Sequence, residues 1–203
     1  MADSILTKLA EEKSSLELKT MSKKALIWLE DKIDEIKNPN KIPLTIRKEK
    51  FRETSRFKLG GLYFFYYNPI TKAELPYYDK FPLTIILKRH SDGFLGLNLH
   101  YLPINYRIAF MKKLMPLAVR GDDGDITRIK ITYDILNDSR RFIAFQPCIK
   151  RYLYTQLKSK ILAVQPNEWD IATYLPVHQF MKAKAPQVWK ESVKEIKRIM
   201  RNP

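Results

Sequence analysis

Residues 61–103, GLYFFYYNPITKAELPYYDKFPLTIILKRHSDGFLGLNLHYLP, hold three short apolar runs separated by turn residues. Tyr63 to Tyr67 are all aromatic and end at Asn68-Pro69. Leu83 to Leu87 are β-branched at their centre and end in Lys88-Arg89. Phe94 to Leu102 place Leu95, Leu97, Leu99 and Tyr101 at period two, with Asn98 and His100 between them. Short apolar runs bounded by turn residues predict strands, and strict alternation predicts a strand with one solvated face. His90-Ser91-Asp92-Gly93 supplies the tight turn, because Asp92 and Gly93 tolerate the positive φ of hairpin loops. The stretch therefore predicts an antiparallel meander of three strands, open or closing into a small barrel.

The flanking sequence is expected to wrap this sheet in helices. Residues 1–19 are polar, with a weak stripe of Ile5, Leu6 and Leu9, and read as a short helix or a mobile arm. From Thr20 to Ile36 a helix is predicted on Leu26, Leu29, Ile33 and Ile36, flanked by Trp28 and stopped by Asn38-Pro39-Asn40. It either docks on the body or receives a partner protein. Residues 41–60 hold seven basic side chains against Glu49 and Glu53. They read as a phosphate-holding segment anchored by Phe51 and Phe57, or as a solvated linker, released into the first strand by Gly60-Gly61.

After the meander, Pro103 opens a helix whose stripe is Ile104, Ile108, Met111 and Met115. Arg107, Lys112 and Lys113 fall on its polar side, the two methionines are core filler, and Pro116 ends or kinks it. The loop Arg120 to Asp125 has the wrong spacing for a Ca²⁺ site and reads as a turn. Residues 127–137 fit strand or helix, with helix preferred. Pro147 is expected to open a helix with Ile149, Tyr152, Leu153 and Leu157 inward and Lys150, Arg151 and Lys158 outward. Ile161 to Val164 predicts a strand, and Asn167 caps a brief helix around Trp169, Ile171 and Ala172 that ends at Leu175-Pro176. Over Gln187 to Met200, Trp189, Val193, Ile196 and Met200 form an apolar face. Lys190, Lys194, Lys197 and Arg201 repeat at the same spacing one residue on, a basic face beside the apolar one. Such a helix docks and presents cations, or lies on an anionic membrane. The fold class is α+β: an N-terminal helical arm, residues 1–40, and a basic body, residues 41–203.

Charge narrows the function. The chain carries 37 Lys+Arg against 22 Asp+Glu, a net charge of +15. Residues 1–40 hold seven basic and eight acidic side chains, so the excess lies in the body. A basic body attracts polyanions, nucleic acid first. The expected phosphate contacts are Lys88 and Arg89, then Arg107, Lys112 and Lys113. The acid-free cluster Arg140, Arg141, Lys150, Arg151, Lys158 and Lys160 follows, then Lys194 and Arg201. With 203 residues and a single cysteine, Cys148, the chain can bury a core without disulfides, in a reducing compartment or a virion interior. No signal peptide is legible and no apolar run approaches the ~20 residues of a membrane span.

Catalytic signals are thin. His90, His100 and His178 have no second ligand at metal spacing, and His100 reads as a hydrogen-bonded structural residue within a strand. Cys148, after Pro147, could have its pKa lowered by a helix N-terminus, but a buried small side chain is the stronger reading. No phosphate-cradling glycine loop is present. Glu74, Asp79 and Asp92 are the best carboxylates for a metal-dependent nuclease, without a recognisable spacing. No cofactor or metal is expected, and binding, not catalysis, is the leading expectation.

Three segments add a resemblance. They are Tyr66-Tyr67-Asn68-Pro69-Ile70-Thr71-Lys72, Leu75-Pro76-Tyr77-Tyr78-Asp79-Lys80-Phe81-Pro82-Leu83 and Gly93 through Pro103. Together they resemble the DNA end protector proteins of contractile-tailed phages of the T-even group. The likeness continues through Pro147 to Leu153 and Glu168 to Ala172, covering most of the chain after about residue 20. It implies a virion protein of the head or neck interior, present in the host cytoplasm during infection. Such a protein binds the ends of linear double-stranded DNA, protects them from host exonuclease and acts in head completion. The implied partners are DNA ends and portal or neck proteins, not a membrane. Tyr77 and Tyr78 are expected to stack on a terminal base pair. The alternatives are the nuclease and a purely structural head or neck protein.

Overall fold

A computed structural model describes residues 15–37, 57–118, 143–159 and 161–201. Its frame is an open five-stranded antiparallel sheet, in the order β5-β4-β3-β1-β6. The strands are β1 (Leu62–Phe64), β3 (Leu83–Arg89), β4 (Gly93–Asn98), β5 (Ile149–Leu153) and β6 (Leu162–Val164). A second, two-stranded sheet pairs β2 (Tyr78–Asp79) with β7 (Phe180–Met181). The helices are α1 (Ser15–Lys37), α2 (Ile104–Ala118), α3 (Trp169–Thr173) and α4 (Ala185–Arg201).

The meander is present as β1, β3 and β4, paired Leu62 to Ile85 and Ile85 to Leu97. The sheet has five strands instead of three and no closed barrel, because β5 and β6 extend its two sides from the C-terminal half. The prediction of one solvated face fails for a related reason. Directly opposed residues share a face, so Leu62, Ile85, Leu97 and Val164 form one face and pack under the helices. Tyr63, Ile86, Phe94 and Tyr152 form the other, covered by Phe57, Phe65 and Tyr67. Phe57 lies 4.2 Å from Phe94 between ring centroids, and Tyr67 lies edge-on to Tyr152 at 4.9 Å. The aromatic run thus lids the second face, and Phe57 anchors on the core as expected.

Glycines act differently from the turn reading. Gly60 holds the positive φ, at 77°, and donates to the Ile86 carbonyl at 2.8 Å as the chain enters β1. Gly93 is the first residue of β4, where a Cβ would lie 1.9 Å from the Tyr152 carbonyl oxygen. Close approach of β5, not a left-handed turn, requires glycine there.

Several elements differ from their sequence periodicity. Residues 149–153 are strand β5, not a helix, because β4 offers a free edge whose backbone groups need partners. Pro147 lies inside a 3₁₀ turn, Ile143–Cys148, and a second 3₁₀ turn, Tyr154–Gln156, follows the strand. In α2, Pro103 accepts the first helical hydrogen bond from Arg107 N–H at 2.9 Å, and the helix runs two residues past Pro116. Met111 is buried, as the filler reading requires. Before α3, the cap is Gln165 in a capping box with Glu168, and Asn167 lies within the turn.

α1 docks on the body. Ala25 and Leu29 are buried in the main core with Leu18, Met21 and Trp28 beside them, and Trp28 Nε1 donates to Glu168 Oε1 at 3.3 Å. Of the predicted stripe, Leu29 is buried as expected, whereas Leu26 faces outward and Ala25 takes the buried place beside it. The readings of residues 1–14, Phe51, the 120–125 loop, residues 127–137, Arg140, Arg141 and Lys160 lie outside the described residues. Among the described residues no helix is long and apolar enough to cross a membrane.

Candidate nucleic-acid interface

α4 carries the clearest cationic surface. Its buried line is Val188, Ser192 and Ile196; Ile196 belongs to the predicted apolar face, whereas Val188 and Ser192 each precede a predicted member by one position. With ~100° between successive residues, Trp189, Val193 and Met200 flank that line on one side. Lys190, Lys194, Lys197 and Arg201 follow as the next sector round the helix. Glu191 and Glu195 fall on the opposite flank, so the acids do not interrupt the cation stripe. Glu195 is paired with Arg198, and Glu191 accepts from the Tyr77 hydroxyl at 2.9 Å. Pro103 and Pro186 join Trp189, Val193 and the cations Lys190, Lys194, Lys197, Arg198 and Arg201 in lining an open groove of about 860 Å³.

This helix is held by a buried polar centre. Trp189 Nε1 donates to the His100 carbonyl at 2.9 Å. His100 lies in a 3₁₀ turn, Leu99–Tyr101, just past β4, whose preceding Asn98 accepts its backbone N–H. The imidazole Nδ1 lies 2.8 Å from Asp79 Oδ2. Asp79 also accepts from Asn98 Nδ2 at 3.1 Å and from the Phe81 and Gln179 backbone N–H groups. Burial raises the Asp79 pKa, but His100 and these donors outweigh it and hold the carboxylate ionised. His100 is shifted down, burial outweighing the pull of Asp79. Its Nε2 is buried, so a second ring proton would place a charge in the interior. The neutral tautomer with its proton on Nδ1 meets both demands. His100 is structural, as the sequence implied, but follows the strand instead of lying within it.

The predicted phosphate ligands divide by burial. Lys88, Arg89, Lys112, Lys113, Arg151, Lys158, Lys194 and Arg201 are exposed. Lys88 and Arg151 both stand opposite Leu95 on adjacent strands, which brings two cations to one face at the turn end of the sheet. Arg151 is bonded to Asp92 and Lys158 Nζ to the Thr155 carbonyl. Arg107 is a correction: it is fully buried, with no path to a phosphate. Its guanidinium donates to the carbonyls of Leu99 at 3.1 Å, Leu175 at 2.9 Å and Thr173 at 3.3 Å. Burial lowers its pKa to about 10, which leaves it charged at neutral pH. Lys150, expected to face outward, is half-buried, with Nζ 4.2 Å from the Tyr101 ring centroid.

The tyrosines proposed for stacking are both half-buried. Tyr77 packs on Tyr101 and Phe180, and burial followed by its bond to Glu191 pushes its hydroxyl up to about 12. Tyr78 pairs with Met181 in β2. The three carboxylates weighed for a nuclease separate: Asp79 is interior, Asp92 is bonded to Arg151 and Glu74 is exposed on the 71–74 turn. Among the described residues no group of three or more His, Cys, Asp or Glu could hold a metal. Burial pushes the Cys148 thiol up to about 12, in line with the packing reading.

Sequence reasoning found the cation stripe because helical spacing is local. It missed Pro103 and Pro186 as groove walls, and it missed the Asp79–His100–Trp189 chain, whose members are scattered over the sequence. No curated protein and no solved structure matches the chain. A family model described as phage T4 terminal DNA protecting protein matches residues 11–193. With nearly its whole length matched and a cationic face on a fixed helix, the chain belongs to the phage T4 terminal DNA protecting protein family.

Proposed function

We propose that this protein occupies the ends of linear double-stranded DNA without reading their sequence, and shields them from exonuclease by occupancy, not hydrolysis. The observation that carries the proposal is the stripe of Lys190, Lys194, Lys197 and Arg201 on one sector of α4, with the acids on the other flank. Cations fixed on a rigid helix neutralise phosphates, which are the same at every base pair. Lys88, Arg89, Arg151, Lys112, Lys113 and Lys158 are proposed as further phosphate contacts, with residues 41–203 as the binding body and residues 1–40 as its arm. The place of action is the interior of a phage head or neck, where contact with portal or neck proteins serves head completion, and then the infected host.

The test is digestion of linear duplex by a processive exonuclease with and without the protein, beside a closed circle of the same sequence. Termini should be protected and the circle should stay intact with or without Mg²⁺. Binding should also weaken steeply with salt, by roughly 10³-fold between 50 and 200 mM if six or more phosphates are contacted. Mg²⁺-dependent cutting would replace this reading with a nuclease. Absence of protection, with equal affinity for circle and linear DNA, would leave a structural head protein.

A further inference from the structure

Phosphate contacts do not distinguish an end from the interior of a duplex, since both present the same backbone. Selecting an end requires a receptor for something only an end exposes, such as an unpaired terminal base with a free π-face. We propose that the groove beside α4 is this receptor, taking one or two unpaired terminal nucleotides with a base against Trp189 and Val193 and the phosphates along Lys190, Lys194 and Lys197. The inference rests on the DNA-end reading above and assigns its selective element.

Four observations converge on it. Trp189 is anchored, through Nε1 on the His100 carbonyl and the His178 ring crossing it at 5.0 Å and 61°, yet it remains part of the groove wall. An anchored aromatic loses little freedom on binding. Val193 belongs to neither apolar cluster of the core, so α4 leaves it in the groove. The lysines at the rim form no salt bridge with a described residue, whereas Glu191 and Glu195 are held by Tyr77 and Arg198. The groove, about 860 Å³, is the size of a small-molecule site and matches one or two nucleotides. A second copy of this chain is a poor occupant, since it brings another +15 charge to a cationic rim. Tyr77 cannot take the role while its ring packs on Tyr101 and Phe180.

The experiment uses the full chain and three DNAs of one sequence: a linear duplex with short unpaired tails, a blunt duplex and a covalently closed circle. The wild-type protein should prefer the tailed duplex over the circle by about tenfold or more, the usual weight of one base stacked on an aromatic ring. Val193→Gln places a neutral polar chain in the groove without altering a core residue, and the tailed-to-circle ratio should fall toward one. A short oligothymidylate should quench tryptophan fluorescence in the wild type and lose that quenching in Trp189→Phe, which keeps a ring in place. If the ratio survives Val193→Gln and quenching survives Trp189→Phe, the groove assignment is overturned and the end-binding reading stands. If the wild type binds circle and tailed duplex alike, the end-binding reading fails and the groove assignment with it. A change in sedimentation of Val193→Gln, with the DNA ratio intact, would make the groove a subunit contact and also overturn the proposal.

Discussion

Arg107 and Lys194 carry the same charge on amphipathic helices of similar length, yet they do opposite work. Arg107 on α2 is sealed inside the body, bonded to carbonyls just past β4 and at and beyond the end of α3. Lys194 on α4 stands in solvent within a stripe of like charge. The difference lies in what the surrounding backbone leaves unsatisfied. Around Arg107, the end of α3 presents the Thr173 and Leu175 carbonyls, the Leu99 carbonyl keeps a second lone pair beside its bond from Leu102 N–H, and a guanidinium supplies several donors at once. Around Lys194 the backbone is satisfied within α4, so the ammonium remains available for a ligand. Net charge therefore overstates the binding surface of this protein, because part of it staples the core.

That contrast is most exposed at Arg107. Arg107→Met should cost ~3–5 kcal/mol of stability, since it removes the bonds to the buried Thr173 and Leu175 carbonyls and a cation whose field favours ionised Asp79. Urea unfolding read by circular dichroism measures this; a loss under about 1 kcal/mol would mean that water replaces the guanidinium.

The mirror experiment removes the outer cations. Replacing Lys190, Lys194 and Lys197 together with Ala should lower the log–log salt slope of DNA binding by roughly 2.7 if each contacts a phosphate. Stability should hold, because exposed surface changes typically move it by only ~0.5 kcal/mol each. Fluorescence anisotropy across a salt series gives the slope. An unchanged slope would move the phosphate contacts to Lys88, Arg151 and the remaining exposed cations.

Acid should attack the interior before it affects the cation stripe. Burial, with the charged Arg107 adding to it, lowers the His178 pKa to about 4 from the ordinary 6.5. The unfolded chain thus binds the proton first, so stability should be complete above about pH 6.5 and decline as pH falls toward 4. The depressed Asp79 adds a further loss only at lower pH, as its carboxylate protonates. His178→Phe should flatten the first part of the decline in a series of urea midpoints; an unchanged profile would place the proton uptake elsewhere.

The smallest effect is expected at Lys150. Its Nζ over Tyr101 is a cation–π contact, of order 1 kcal/mol, and burial lowers its pKa, so Lys150→Met should change stability by ~1 kcal/mol or less. Its DNA affinity should match the wild type. A marked loss of affinity would return Lys150 to the outer group and weaken the division drawn between the two sets of cations.

What could be read along the chain was what neighbours in sequence decide. Tyr63 to Tyr67, Leu83 to Leu87 and Phe94 to Asn98 yielded the meander because apolar runs bounded by turn residues are a local pattern, even though β1 and β3 pair across the long segment 65–82. Trp189, Val193 and Lys190 to Arg201 yielded α4 and its cationic flank because helical spacing is local. Residues 149–157 were misread because Ile149, Tyr152, Leu153 and Leu157 satisfy a helical period, and only the open edge of β4 decides for a strand. The half-buried place of Lys150 follows from that strand, since it sets the side chain near Tyr101. Arg107 lies beyond any local reading, because its partners Thr173 and Leu175 are brought to it from more than sixty residues away by the packing of α3. Composition and periodicity thus determined the class of the fold and the sign of its charge. Which cations face water was decided by tertiary structure, because burial of a charge depends on the unpaired backbone groups that distant segments deliver to it.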